Sequence, residues 1–256
     1  MELWTAEHAK TLLPALAVML VLAWVLQRVI GNKSHKIRMI PIQVIACLLL
    51  LLELGKQAVS LSHGYDLYHL PFHFCSLFIF MLPLMAFYKG KHKQTVYAIT
   101  ASLCMAVCAL MLIYPALIYS DGNIREFFTN YISFHTVAFH NLVMLSAILI
   151  PVLKLHEPAK KGEHKAIVLF MLGFCTVSAV MAQLLKTNFN NFYRCNIPPL
   201  ETVRQIVETA WGSVPAMLLY VLIVTILDIL FVLGSYRLYL LVRRISQKEK
   251  AYTKYL

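Results

Sequence analysis

The sequence predicts an all-α protein, a polytopic membrane bundle of seven transmembrane helices that form one domain over residues 1–256. Two observations carry this prediction. Of the 256 residues, 60% are hydrophobic and only 14% are charged, whereas about a quarter of the residues of a soluble domain are charged. Seven hydrophobic runs of about twenty residues are also long enough to cross the hydrocarbon core of a bilayer. Because lipid offers no partners for backbone groups, each run should form a helix.

The predicted helices follow the hydrophobic runs in order. The first run follows a segment without a basic n-region or a small-residue cleavage site, so we interpret it as a retained span. The third starts at "LPFHFCS", where Pro71 suits the first turn of a helix, and the fifth starts at "YISFH". Charged loops or turn residues separate the others. The predicted spans lie at about 11–30, 38–62, 70–88, 94–118, 131–153, 165–187 and 214–242.

The positive charge predicts the orientation of the bundle. The formal net charge is +11, and 17 of the 23 Lys and Arg residues lie in alternate connections and in the C-terminal segment. By the positive-inside rule, the N-terminus is outside and the C-terminus is cytoplasmic. We expect a multi-pass protein of the bacterial plasma membrane, with membrane lipids as its partners and no nucleic-acid binding. The sequence identifies no protein partner.

Polar side chains in the second span share one helix face. Glu53 precedes Lys56 by three residues and Gln57 by four, so the three side chains can satisfy one another. In the predicted topology they lie in the outer half of the span. Glu53 and Lys56 form either an intrahelical pair that lets the span insert into the membrane, or the polar floor of a pocket.

Three further spans, the third, the fifth and the sixth, bring polar side chains to the same depth. The third span begins with His73 and Cys75, and the fifth carries His135 and His140. The two histidines of the fifth span lie about 140° apart around the helix, so they cannot line one site, and we favour His135. We therefore predict a pocket that opens to the outer leaflet. Its predicted lining residues are Glu53, Lys56, His73, His135, Gln183, Asn188 and Arg194.

A cysteine and two histidines in this pocket indicate nucleophilic catalysis. A catalytic thiolate needs an imidazole that takes its proton and a donor that stabilises the oxyanion. On one helix the side chains of His73 and Cys75 would diverge by about 200°, so the base should come from another span. We assign Cys75, His135 and His73 to catalysis, with His135 as the general base and His73 as its partner or an oxyanion donor. Substrate binding is assigned to Glu53, Lys56, Gln183, Asn188 and Arg194.

The alternative role of Cys75 is a disulfide bond with Cys195. The predicted topology places both residues near the outer surface, where an oxidising compartment permits such a bond. A bridged Cys75 would exclude thiol catalysis.

The sequence predicts neither a metal nor a cofactor. His69 and His73 are four residues apart, but Pro71 interrupts the pair, and no HExxH motif occurs. The chain also lacks a Walker motif, GxGxxG and GxSxG, so neither nucleotide use nor serine hydrolysis is supported.

The segments "LPFHFCS", "YISFH" and "TNFNNFYRCNIPP" resemble the YwaF-like family of bacterial integral membrane proteins in their order and spacing, and Glu53 matches a glutamate of its second span. A distantly similar eukaryotic branch is described as seven-span, cysteine-dependent phospholipid acyltransferases. This resemblance implies acyl chemistry on lipids, with His73 and His135 on matching positions. The nucleophilic cysteine of that branch directly precedes the third-span histidine, where this chain has Phe72, so the nucleophile does not carry over. The loop cysteine of the family matches Cys195, which favours the disulfide.

Three functions agree with these observations. The first is acyl or ester transfer on a membrane lipid in the predicted pocket. The second is non-enzymatic binding or carriage of a lipid or small solute by the same residues. The third is a membrane subunit whose polar face contacts a partner protein. The chain shows no clear internal repeat, which counts against a secondary transporter.

Overall fold

The structure, a computed structural model, describes residues 3–158, 162–194 and 198–252. The described residues form helices joined by turns and loops, with no strand among them, so the prediction of an all-α protein is confirmed. The α-helices are α1 (Ala6–Ile30), α2 (His35–Ser62), α3 (Phe78–Phe87), α4 (Lys93–Ile113), α5 (Asp121–Arg125), α6 (Tyr131–Val152), α7 (Glu163–Leu185), α8 (Pro198–Trp211) and α9 (Ser213–Tyr252). Short 3-10 helices cover Leu67–His69, Phe74–Leu77, Pro115–Leu117 and Phe189–Asn191.

Within the described ranges, six helices are long and apolar enough to cross a membrane. They are α1, α2, α4, α6, α7 and residues Ser213–Ser246 of α9. These helices correspond to six of the seven predicted spans. The protein is therefore a multi-pass membrane protein by length and composition.

The third predicted span, 70–88, differs from the structure. Its α-helix begins only at Phe78 and has 10 residues, after a 3-10 helix of 4 residues. Together they extend about 21 Å, which is less than the hydrocarbon core of roughly 30 Å. Pro71 is the physical reason, because its ring disfavours helical geometry in the residue before it, and Leu70 is extended with φ −64° and ψ 148°. Pro71 thus lies in a turn and does not start the helix.

The bundle has two ends, which polar contacts between helix termini define. At one end, Trp4 Nε1 before α1 donates to the Leu112 carbonyl in the last turn of α4, at 3.2 Å. At the other, Arg38 near the start of α2 donates to the Leu153 carbonyl after α6, at 2.6 Å. We call the end where α2 ends and α6 begins the site end, and the other the opposite end.

Helix α4 occupies the centre of the bundle. It packs against α3, α6, α7 and α9, and it is the most buried of the six long apolar helices. Its small side chains, such as Ala98, Ala101 and Ala106, let neighbouring helices approach closely in a membrane, where packing drives association. In contrast, α1 exposes large apolar side chains such as Val18 and Trp24, which suits a surface that faces lipid.

A buried polar cluster at the opposite end ties the α6–α7 connection to α9. The ring of His156 is fully buried, and its Nε2 lies 2.8 Å from Glu163 Oε1. Its Nδ1 lies 3.1 Å from the Tyr239 hydroxyl, and Tyr236 donates to the other oxygen of Glu163. Burial lowers the pKa of His156, and the Glu163 carboxylate opposes this effect. We call these four side chains the opposite-end clasp.

Gly55 in α2 should be essential for the packing of α2 against α6. A Cβ atom there would clash with the Tyr131 hydroxyl, which donates to the Leu52 carbonyl at 3.2 Å. We expect Gly55→Ala to displace Tyr131 and to lower the free energy of unfolding by about 1–3 kcal/mol. The measurement is thermal unfolding of the purified protein in detergent.

Gly173 in α7 provides the matched control, because a Cβ atom there meets nothing within 4 Å. Gly173→Ala should leave stability unchanged or raise it by about 0.5–1 kcal/mol, since alanine favours the helix. Equal melting temperatures for the two variants would contradict the close contact at Gly55.

Candidate functional site

The side chains of Glu53, Lys56 and Gln57 meet on one face of α2, as their spacing predicts. Lys56 Nζ lies 2.9 Å from Glu53 Oε1, and Gln57 Nε2 donates to the same oxygen at 2.6 Å. Glu53 and Lys56 are both more than nine-tenths buried. One carboxylate oxygen therefore receives a charged and a neutral donor inside the bundle.

His135 of α6 approaches the other oxygen of this carboxylate. Its Nε2 lies 3.3 Å from Glu53 Oε2, and the side chain is 8% exposed. The two atoms are close enough for an ion pair, but they are not aligned for a hydrogen bond, and neither bonds elsewhere among the described residues. The attraction between them is thus mainly electrostatic. We call Glu53, Lys56, Gln57 and His135 the Glu53 cluster.

The connection after α2 folds back over the Glu53 cluster. Tyr65 donates to Gln57 Oε1 at 2.7 Å, and Gln57 Nε2 also donates to the His69 carbonyl at 2.9 Å. His69 Nδ1 lies 2.7 Å from Ser60 Oγ. Burial lowers the pKa of His69, and the charge of Lys56 lowers it further. Helix periodicity could not reveal these contacts, because they depend on the path of a loop.

His73 belongs to this connection, and its ring contacts the segment that follows α7. Its backbone is extended, with φ −84° and ψ 155°. The ring contacts those of Tyr68 and Phe189, with centroids 4.2 and 5.2 Å away, and Nε2 lies 3.1 Å from the Tyr68 carbonyl. The predicted angle between His73 and Cys75 assumed one regular helix, and the structure does not have one there.

Cys75 is half-buried in the 3-10 helix that follows His73. Its thiol lies within electrostatic range of Lys56 and Glu53. It is not bridged to any cysteine of the described ranges. Cys195, the predicted disulfide partner, lies outside the described residues, so the disulfide stays a prediction.

The remaining predicted binding residues shape the segment after α7. Gln183 Nε2 donates to the Phe192 carbonyl at 2.8 Å. Asn188 Oδ1 accepts from the backbone N–H groups of Tyr193 and Arg194, at 3.1 and 2.9 Å. The exposed Arg194 guanidinium lies over the Tyr193 ring. The structure brings Glu53, Lys56 and His135 together. Gln183 lies in the last turn of α7, and Asn188 and Arg194 lie in the segment that follows it.

Asp228 of α9 has a donor in the segment after α7. Asn190 Nδ2 donates to Asp228 Oδ2 at 2.7 Å. Asn190 has φ 48°, a left-handed conformation that asparagine tolerates better than most residues. Tyr220 of α9 donates to the Asn191 carbonyl at 2.6 Å. The asparagine-rich composition of the segment after α7 indicates a turn. The pairing of Asn190 with Asp228 depends on how this segment packs against α9.

A largely apolar cavity of about 740 Å³ adjoins the contact of α2 with α6. Leu52 and Phe134 line it, and each directly precedes a member of the Glu53 cluster in the chain. The cavity and the cluster therefore lie close together along the same pair of helices. The other lining residues are Thr11, Ala15, Val18, Met19, Leu48, Tyr119, Ile124, Phe127, Phe128, Val137, Ala138, Asn141, Leu142 and Leu145.

The Glu53 cluster offers the parts of acid–base chemistry. A carboxylate beside an imidazole can hold its orientation and stabilise its protonated form, and a nearby ammonium can stabilise an anion. No group of three or more His, Cys, Asp or Glu side chains in the described part of the chain is placed to hold a metal ion.

The pairing of Lys56 with Glu53 should be important for stability. We expect Lys56→Met to cost about 3–5 kcal/mol in the free energy of unfolding, because it removes the main positive partner of a buried carboxylate. The double variant Glu53→Gln/Lys56→Met should be more stable than Lys56→Met alone, because it leaves no unpaired charge. Thermal unfolding in detergent compares them, and a double variant no more stable than Lys56→Met would contradict the pairing.

Comparison with known proteins identifies the family of the chain. Residues 3–245 match the TMEM164 family. No curated protein sequence and no solved structure matches the chain. Because the match covers nearly the whole chain, the protein belongs to the TMEM164 family, a family of transmembrane proteins.

Proposed function

We propose that the protein transfers or hydrolyses the acyl group of a membrane lipid at the Glu53 cluster. The observation that carries this proposal is the buried pair of Glu53 and His135 beside Lys56. Ionisable groups are costly inside a membrane, and those that occur there are usually functional. If glutamine and leucine stood in place of Glu53 and Lys56, α2 would insert into the membrane at a lower cost in free energy.

In this proposal His135 is the general base. The Glu53 carboxylate lies beside Nε2 of the imidazole, so it stabilises the protonated form electrostatically. The other ring nitrogen, Nδ1, then accepts and returns the proton of the reacting group. Lys56 keeps Glu53 ionised and adds positive charge near Cys75. His73 serves as a partner of His135 or as an oxyanion donor.

Cys75 is the proposed nucleophile. Its thiol proton passes to His135, and the thiolate attacks the ester carbonyl of a phospholipid to form a thioester. The alcohol of the lysolipid leaves with the proton from His135. A hydroxyl of an acceptor lipid, or water, then attacks the thioester and restores the thiol. The resemblance to cysteine-dependent phospholipid acyltransferases supports this reaction, although Phe72 stands where their cysteine lies.

The cavity next to the cluster supports a lipid substrate. Its apolar lining suits an acyl chain, and its position beside Leu52 and Phe134 brings such a chain close to Glu53 and His135. We propose Gln183, Asn188 and Arg194 as contacts of the head group, since the exposed Arg194 can attract a phosphate. In this proposal the pocket opens to the outer leaflet of a bacterial plasma membrane, with the N-terminus outside.

Non-enzymatic binding or carriage of a lipid or solute is the second candidate. The charges of the Glu53 cluster compensate one another, since basic side chains lie near both oxygens of Glu53. This compensation favours the binding function. The cavity would hold the apolar part of the ligand, as in the first proposal. A membrane subunit with a partner protein is the third candidate. Substitution of His135 distinguishes catalysis from binding.

We expect His135→Ala to lower acyl transfer about 100-fold or more while lipid binding is retained, because a general base contributes to turnover and not to affinity. The assay uses vesicles of phosphatidylethanolamine and phosphatidylglycerol that contain a phospholipid with a fluorescent acyl chain. Transfer to an added lysolipid, release of fatty acid and binding of the labelled lipid are measured on the same protein.

The matched control is His140→Ala. His140 lies on the same helix and is equally buried, but its Nδ1 contacts the Thr136 carbonyl at 2.7 Å and not Glu53. It should retain turnover. Loss of binding together with turnover in His135→Ala would favour the carrier, and equal turnover in both variants would overturn the proposed base.

The state of Cys75 tests the nucleophile separately. We expect Cys75 to react with a maleimide faster than Cys47, which is exposed on α2 and lies six residues before Glu53, once detergent opens access to both. The rate should fall in His135→Ala, because the imidazole promotes thiolate formation. Labelled peptides are quantified by mass spectrometry of the non-reduced protein. Recovery of Cys75 linked to Cys195 would exclude thiol catalysis.

A further inference from the structure

Helix α8 separates apolar and polar side chains on its surface. At 100° per residue, Val203, Ile206 and Ala210 lie on one face, and Gln205 and Thr209 lie on another. Val203 is 43% exposed and Ile206 is 64% exposed. The helix thus presents an apolar face that the described residues cover only in part.

The charges of α8 are satisfied within the helix. Arg204 donates to both oxygens of Glu201 at 2.7 and 2.8 Å, and to Glu208 at 2.7 Å. The Arg204 guanidinium lowers the pKa of Glu201 below its usual range. Because these groups are paired with one another, they do not require full contact with water.

The segment before α8 lies at the depth of the membrane-spanning helices. Asn190 bonds to Asp228, which lies 15 residues after the start of the apolar stretch Ser213–Ser246. Phe189 and Phe192 are fully buried. Irregular backbone at membrane depth is tolerated only where protein buries it, and this segment meets that condition. Four residues after Arg194, the chain enters α8.

The end of α8 continues directly into a lipid-facing surface. Trp211 is 72% exposed, and Gly212 with φ 91° turns the chain into α9. The first turns of α9 expose Val214 and Leu218, at 69% and 66%. Helices α8 and α9 also pack against each other. The apolar face of α8 is therefore continuous with a surface that lipid covers.

From these observations we infer that α8 is a membrane-embedded helix whose Val203–Ile206 face contacts the hydrocarbon of lipids, and that it is not part of a water-exposed connection. The polar face, with Gln205 and Thr209, is directed toward water. Such a helix binds the bilayer through its apolar area, and a tryptophan at its end suits the membrane–water interface. The partner of this surface is lipid.

Tryptophan quenching in vesicles tests this inference on the full chain. In a background of Trp4→Phe, Trp24→Phe and Trp211→Phe, one variant carries Ile206→Trp and its matched control carries Gln205→Trp. Vesicles contain phosphatidylcholine brominated on its acyl chains. We expect bromolipid to quench the Ile206→Trp protein about twofold more strongly than the control, and aqueous iodide to show the reverse order.

Two results would overturn the inference. Strong iodide quenching of Ile206→Trp without bromolipid quenching would place the face of α8 in water. Protection of Ile206→Trp from both quenchers would show that protein covers the face, for example a second copy of the chain. Thermal unfolding of each variant confirms that it is folded. If Ile206→Trp disrupts the helix, the variant Trp4→Phe/Trp24→Phe takes its place, with Trp211 as its single tryptophan. Bromolipid quenching of Trp211 is then the expected result, and quenching by iodide alone would overturn the inference.

Discussion

The buried carboxylate of Glu53 is the constraint on which the site end of the bundle depends. A single charge in the interior of a membrane protein costs several kcal/mol unless basic partners and donors surround it. Lys56 and Gln57 come from the same helix, and His135 comes from α6. The need to satisfy one side chain therefore fixes how α2 and α6 meet, and Gly55 permits the close approach of Tyr131 at the same contact.

The same requirement organises the irregular segments. The connection after α2 bonds to Gln57 and Ser60, and the segment after α7 bonds to Asp228 through Asn190. At the opposite end, the clasp joins the α6–α7 connection to α9. These polar groups thus hold pieces of chain that helix packing alone would leave unspecified.

The two sides of the α2–α6 contact have complementary chemistry. One carries paired charges, and the other lines an apolar cavity. A lipid has the same division between its ester region and its acyl chain, and this likeness is the physical basis of the proposed lipid chemistry. The exposed face of α8 adds a further surface for lipid on the same protein.

The sequence by itself determined the helical class and six long helices, because hydrophobic length is a local property that the bilayer imposes on each segment. It also placed Glu53, Lys56 and Gln57 on one face, because helix periodicity is local. Only the tertiary structure decided that α3 is short, that His135 meets Glu53 and His140 does not, and that Asn190 pairs with Asp228. The two pairings join residues far apart in the chain. They depend on the path of a loop or on the rotation of a helix about its axis, and the periodicity of the sequence predicts neither.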